Sequence, residues 1–288
     1  MSGICLSSVS IGMKAGRFVL ELRSLFLAFL LLLAFPAGAQ SVPPSPNAEL
    51  TAMLQKLSEY ASPEQFSQIS SAITASPALT EQLNDLASSR KITEIQVRPP
   101  EAIQPIQGIR FGALLDGTQL VLATDLLVEL LKNRGYAAIK PGTVLPNTTT
   151  FVIGHLAFHA KTSDEMARFE EDIKRMVDEK LKSPGRHDYT DIVLLGTRTH
   201  IENEASAFIQ GWNYMIDAAT QDNGGKTLTV DQVSTLLVKL RYRFAFSKAL
   251  ALEEGRIEFI DTGMIPMNER NIKAVAKALS TSTVTDIQ

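Results

Sequence analysis

Cysteine occurs once in the 288 residues, at Cys5, and tryptophan once, at Trp212. A single thiol can form neither an intrachain disulfide nor a cysteine-built metal site, so stability has to come from a hydrophobic core. Charge of neither sign dominates, with 28 basic and 31 acidic residues and a formal charge of −3. That balance lacks the basic excess that nucleic acid or an anionic membrane attracts, so neither is an expected partner. The glycine-rich phosphate loops G-x-G-x-x-G and G-x-x-x-x-G-K are missing, and so is the G-x-S-x-G elbow. Nucleotide cradles and α/β-hydrolase chemistry therefore find no support.

One long apolar run is present, Leu25 to Phe35, and it falls short of the roughly 20 residues that a membrane-spanning helix needs. Lys14, Arg17 and Arg23 lie ahead of or beside it, and Pro36 with Ala37-Gly38-Ala39 follows. A basic leader, an apolar segment and a small-residue cleavage site in that order predict a secretory signal over residues 1–39, cut near Ala39. Met13-Lys14 reads as the natural start of that signal. The expected compartment is the periplasm or the exterior, with membrane attachment only through an uncleaved signal. Cleavage would remove three basic residues and one acidic residue together with Cys5, taking the formal charge from −3 to −5.

The rest predicts an α+β fold, predominantly helical. Residues 40–47 (QSVPPSPN) read as a flexible linker. Asn47, Ser62-Pro63 and Ser76-Pro77 start three short helices over 48–90, a small N-terminal helical bundle or packing arm. Residues 91–108, with Pro99, Pro100 and Pro105, read as an extended connector. A mainly helical domain is expected over 109–288. It opens with a hairpin of Ile109–Leu115 and Gln119–Ala123 around Asp116-Gly117, then a helix capped by Thr124. A buried helix over Phe151–Ala160, a separate charged helix over 163–182 and a long helix over Tyr189–Ala219 follow. A helix from about Asp231 to Leu252, a short strand at Ile257–Ile260 and a last helix over Glu269–Leu279 complete it.

Chemistry concentrates in two pairs. His155 and His159 in GHLAFH stand four residues apart, which on a helix places both imidazoles on one face. His200 and Glu204 repeat the spacing on the next long helix. Antiparallel packing of the two faces would bring three ring nitrogens and a carboxylate together around a divalent ion. This arrangement, over roughly residues 109–220, resembles the zincin-like metallopeptidases of the gluzincin type. The resemblance implies His155, His159 and Glu204 as ligands of zinc, with His200 as a candidate fourth. Those families carry a general-base glutamate directly after the first histidine, and here that position is Leu156. Three readings stay open from the residues: core histidines bonded to Glu204, a degenerate metal site without proteolysis, or a hydrolase drawing its base from Glu202, Glu165 or Glu129. The first would make the chain a non-enzymatic interaction protein with a protein partner.

Overall fold

Asparagine, serine and proline set where the first helices begin. The computed structural model describes residues 43–103, 112–132, 147–240 and 257–281. The signal segment 1–39, the first three residues of the linker, the end of the expected connector, the start of the expected hairpin and the latter half of the helix expected over 231–252 lie outside them. Asn47 accepts from Leu50 N at 2.8 Å and caps α1 (Ala48–Ser58). Ser62 forms a reciprocal capping box with Gln65 at the head of α2 (Pro63–Thr74), and Ser76 caps α3 (Pro77–Ser88). Pro63 and Pro77 occupy the first helical turn, where a missing N–H costs nothing. Each helix turns an aliphatic face inward: Leu50 and Leu57, Ile69 and Ile73, Leu79 and Leu83.

The segment expected to be a connector is instead part of a sheet. β1 (Glu94–Arg98) runs parallel to β3 (Gln119–Ala123), pairing Glu94 with Gln119 through Arg98 with Ala123. β2 (Ala113–Asp116) runs antiparallel to β3 on its other side, giving the order β1-β3-β2. The two-residue hairpin turn places Gly117 at φ +59, which glycine adopts without a Cβ penalty. A short 3₁₀ turn (Pro100–Ala102) follows β1, and α4 (Thr124–Lys132) follows β3.

Two long helices organise the remainder. α5 (Thr148–Leu181) and α6 (Thr190–Asp222) pack antiparallel, and each is about 50 Å long at 1.5 Å per residue. The two helices expected on either side of residue 161 are thus one, because Ala160-Lys161-Thr162-Ser163 offers no glycine or proline to interrupt the backbone. What changes there is the environment. Thr149–Ala160 is largely buried, whereas the charged half beyond it is largely exposed. α7 (Val230–Leu240) and α8 (Glu269–Thr281) complete eight α-helices among the described residues. The predominantly helical α+β class expected from sequence is the one observed. No described helix is long and apolar enough to cross a membrane.

α6 ties both ends of the chain together. Ser76 Oγ donates to Asp217 at 2.6 Å and Ala78 N donates to the same carboxylate at 3.1 Å, anchoring the start of α3. Tyr214 donates its hydroxyl to Gln82, and burial pushes this phenol up to about 12, so it remains a neutral donor. The helices over 48–90 lie within one compact unit, Pro44–Gln288. On the other side, Trp212 Nε1 donates to Gly263 O at 2.9 Å, and Asn213 exchanges two bonds with the Ile265 backbone. Residues 257–260 do not form the expected strand. The Glu258 N–H is taken by Asn271 Oδ1 at 2.8 Å, and Ile260 N closes a turn onto Met264 O, so no neighbouring strand is needed.

Trp212 is completely buried and edge-on to Phe259, with ring centroids 6.3 Å apart. Trp212→Ala is expected to cost about 3–5 kcal/mol, since the emptied volume and the orphaned Gly263 carbonyl add. Urea denaturation midpoints measure it.

Candidate metal centre

The helix crossing is tight because glycine allows it. A Cβ on Gly211 of α6 would sit 2.6 Å from the Phe151 carbonyl oxygen, and one on Gly154 of α5 would sit 2.5 Å from the Tyr214 ring. Beside this contact α5 presents His155 and His159 on one face and α6 presents Glu204 opposite them.

The three side chains converge. His155 Nε2 lies 3.3 Å from Glu204 Oε1, His159 Nε2 lies 3.1 Å from Glu204 Oε2, and the two Nε2 atoms are 3.1 Å apart. Ligands bound tetrahedrally at 2.0–2.1 Å stand about 3.3 Å from one another, so the spacing matches a shared first-row ion. These three form a group able to hold a metal ion. The side chains keep 16%, 23% and 43% of their accessible surface, so the cluster opens to solvent on the Glu204 side instead of being closed around a fourth residue.

Burial pushes the Glu204 carboxyl up, but hydrogen bonds from His155 and His159 and their charges outweigh it and hold the group well below the ordinary carboxylate range. Neither imidazole can present a bare lone pair to the other and to the carboxylate without a cation between them. Either a proton or a metal has to occupy that space.

The outer contacts are unequal. His159 Nδ1 lies 3.3 Å from the Asn203 amide, which in turn lies 3.3 Å from Thr162 Oγ1. His155 Nδ1 is buried without a hydrogen-bond partner, and its ring meets the Phe208 ring edge-on at 4.6 Å. Sequence reasoning did not single out Asn203, Thr162 or the glycine pair. The signal available was positional: Asn203 adjoins Glu204, and Thr162 follows His159 by nearly one turn.

His200 is a correction. It does not join the group, and its ring faces Phe169 of α5 with centroids 6.1 Å apart. One turn before Glu204 on an antiparallel partner, it stands opposite residues beyond His159. His187 lies in the loop between the long helices beside Tyr189.

The position held by a general-base glutamate in the gluzincin pattern is Leu156, which is buried in the core. Of the substitutes considered, Glu165 is exposed on α5 and Glu202 faces Arg198 at 3.8 Å. The side chain of Glu129 lies outside those described. Among the described residues no second carboxylate joins the cluster.

No family model, curated protein or solved structure matches this chain. The site itself has to carry the functional reading.

Proposed function

We propose that the chain is an exported zinc-binding protein, in which His155, His159 and Glu204 hold one ion and no peptide hydrolysis follows. The observation that carries the reading is the 3.1–3.3 Å spacing of the two Nε2 atoms and the Glu204 oxygens on rigid, closely crossed helices. Two imidazoles and a carboxylate form a donor set that suits zinc. Held by three protein ligands with one side open, zinc acts as a Lewis acid toward an oxygen donor. The chain's own part is to fix the ligands, and it supplies no carboxylate at the place where the gluzincin resemblance would require one. Export is supported by the basic leader, the apolar run Leu25–Phe35 and the small residues at 37–39.

Isothermal titration of metal-free protein with zinc tests this reading, alongside His155→Ala and His159→Ala. Expected are one saturable site in the wild type, its loss in both variants, and no cleavage of an unstructured peptide substrate. Chelator-sensitive peptide cleavage that disappears in His159→Ala would overturn the non-hydrolytic part.

A second reading, an interaction protein with core histidines, is favoured by one fact. Glu204 already engages both imidazoles, so the pair is satisfied without an ion. On that reading the titration is flat.

A further inference from the structure

We infer that the groove between α6 and α8 binds a free single-chain alkyl carboxylate, with its chain on the apolar floor and its headgroup on Arg198. Glu202 lines this groove while Glu204 faces α5, and residues two apart on a helix point about 200° apart. The groove and the metal cluster therefore use different faces of α6, and the inference does not depend on the metal reading.

Helical spacing sets the two walls. The chain reaches α8 through Ile265, whose backbone Asn213 holds, and near the end of α8 Ser280 lines the groove with Leu194. α8 thus runs back along the first half of α6. On α6, Leu194, Arg198 and Ile201 follow at intervals of four and three residues, and on α8 Lys273, Lys277 and Ser280 do the same. Ala276 brings only a methyl group to the shared floor, and a groove of about 310 Å³ stays unfilled. From Leu194 to Glu202 it extends about 12 Å at 1.5 Å per residue.

The lining separates by polarity. Leu194, Ile201 and Ala276 offer only aliphatic contact, and the stems of the three cations are aliphatic as well. Charge sits at the rim. Arg198 meets Glu202 at 3.8 Å, too far for a hydrogen bond, and makes none among the described residues, so its fork of donors can take a carboxylate. Lys273 is paired with Glu269. Arg198, Lys273 and Lys277 against Glu202 and Glu269 leave one positive charge, on a chain whose formal charge is −3. A complementary ligand carries one terminal anionic group on a body that asks for no hydrogen bonds. Size points to a small molecule, because ligand pockets begin near about 300 Å³ whereas a specific protein partner buries on the order of 1,000 Å². The net negative charge of the chain opposes docking on an anionic bilayer.

Isothermal titration of the full-length protein with laurate, kept below its micelle concentration, tests the inference. One saturable site is expected. Dodecyltrimethylammonium keeps the chain and reverses the charge, butyrate keeps the charge and loses most of the chain, and each should bind at least about tenfold more weakly. Leu194→Asp and Arg198→Gln should each weaken laurate by about tenfold or more. Leu194 is 62% exposed and the Arg198 side chain 70%, so both variants should fold, with Tm within about 3 °C of wild type. Absence of saturable laurate binding overturns the inference, and so does binding that both variants leave within about twofold of wild type. Sedimentation with phosphatidylglycerol vesicles is expected to show no uptake. Uptake that both variants abolish would assign the groove to a bilayer and overturn the inference as well.

Discussion

Glu204→Gln is expected to weaken zinc binding by more than 100-fold while leaving the helices in place. The amide matches the carboxylate in shape and can still meet both imidazoles, so packing changes little. What it lacks is charge, and it also presents an N–H to a space that would hold a cation. Loss of an outer-contact residue around a metal commonly costs 10–100-fold, and loss of a charged direct ligand should exceed that. The same substitution alters acid stability of the metal-free protein. The folded carboxyl of Glu204 is held below its unfolded value, which lies near about 4.3. Its stabilising contribution is thus fully present above that pH and is lost as the pH falls toward the folded value. Because the side chain keeps 43% of its accessible surface, solvent screening limits the gain. Glu204→Gln should flatten the decline of stability below about pH 4.5, as read from urea midpoints at a series of pH values. A zinc affinity within tenfold of wild type would mean that Glu204 is not a ligand.

Three glycines on the two long helices should respond to alanine with opposite signs. Gly211→Ala places a methyl group 2.6 Å from the Phe151 carbonyl, which is backbone and cannot swing aside. The helices must separate at their crossing, at a cost of about 1–3 kcal/mol. Because His155 stands next to that contact, with its backbone nitrogen 3.4 Å from the same Cβ, zinc affinity should fall as well. Gly154→Ala meets the Tyr214 ring at 2.5 Å, and that ring is held by burial and by Gln82, so it too should destabilise. Gly196 lies on the outer part of α6 with nothing within 4 Å of its Cβ position. There alanine should stabilise by about 0.5–1 kcal/mol through helix propensity alone. Thermal and urea unfolding of the three variants decide it. Equal effects at positions 196 and 211 would contradict the close crossing.

The helix starts were legible because capping is local chemistry. Asn47, Ser62-Pro63 and Ser76-Pro77 announce their helices within a few residues, and Asp116-Gly117 announces its hairpin in the same way. β1 was not legible, since its parallel partner β3 lies beyond the 3₁₀ turn and β2, and nothing in Glu94–Arg98 names that partner. The division of α5 into two helices followed a change of burial, which hydrophobic patterning records in place of backbone continuity. The site divides along the same line. The i, i+4 spacing of His155 and His159 places both rings on one helical face, and facing Glu204 requires only antiparallel packing. His200 shares the spacing with Glu204, yet register along the partner helix directs it to Phe169. Asn203, Thr162, Gly154 and Gly211 act through contacts between helices, which no single-helix pattern displays.

Zinc content and zinc-dependent stability of the purified protein test the central claim most directly. The account predicts about one equivalent of zinc by elemental analysis after loading and desalting. At a free zinc concentration a hundredfold above Kd, the linkage gain is about 2.7 kcal/mol, a rise in Tm of roughly 5–10 °C for a protein of this size. Less than about 0.1 equivalent after loading, with no movement of Tm on zinc addition, would contradict it and leave His155, His159 and Glu204 as a hydrogen-bonded core cluster.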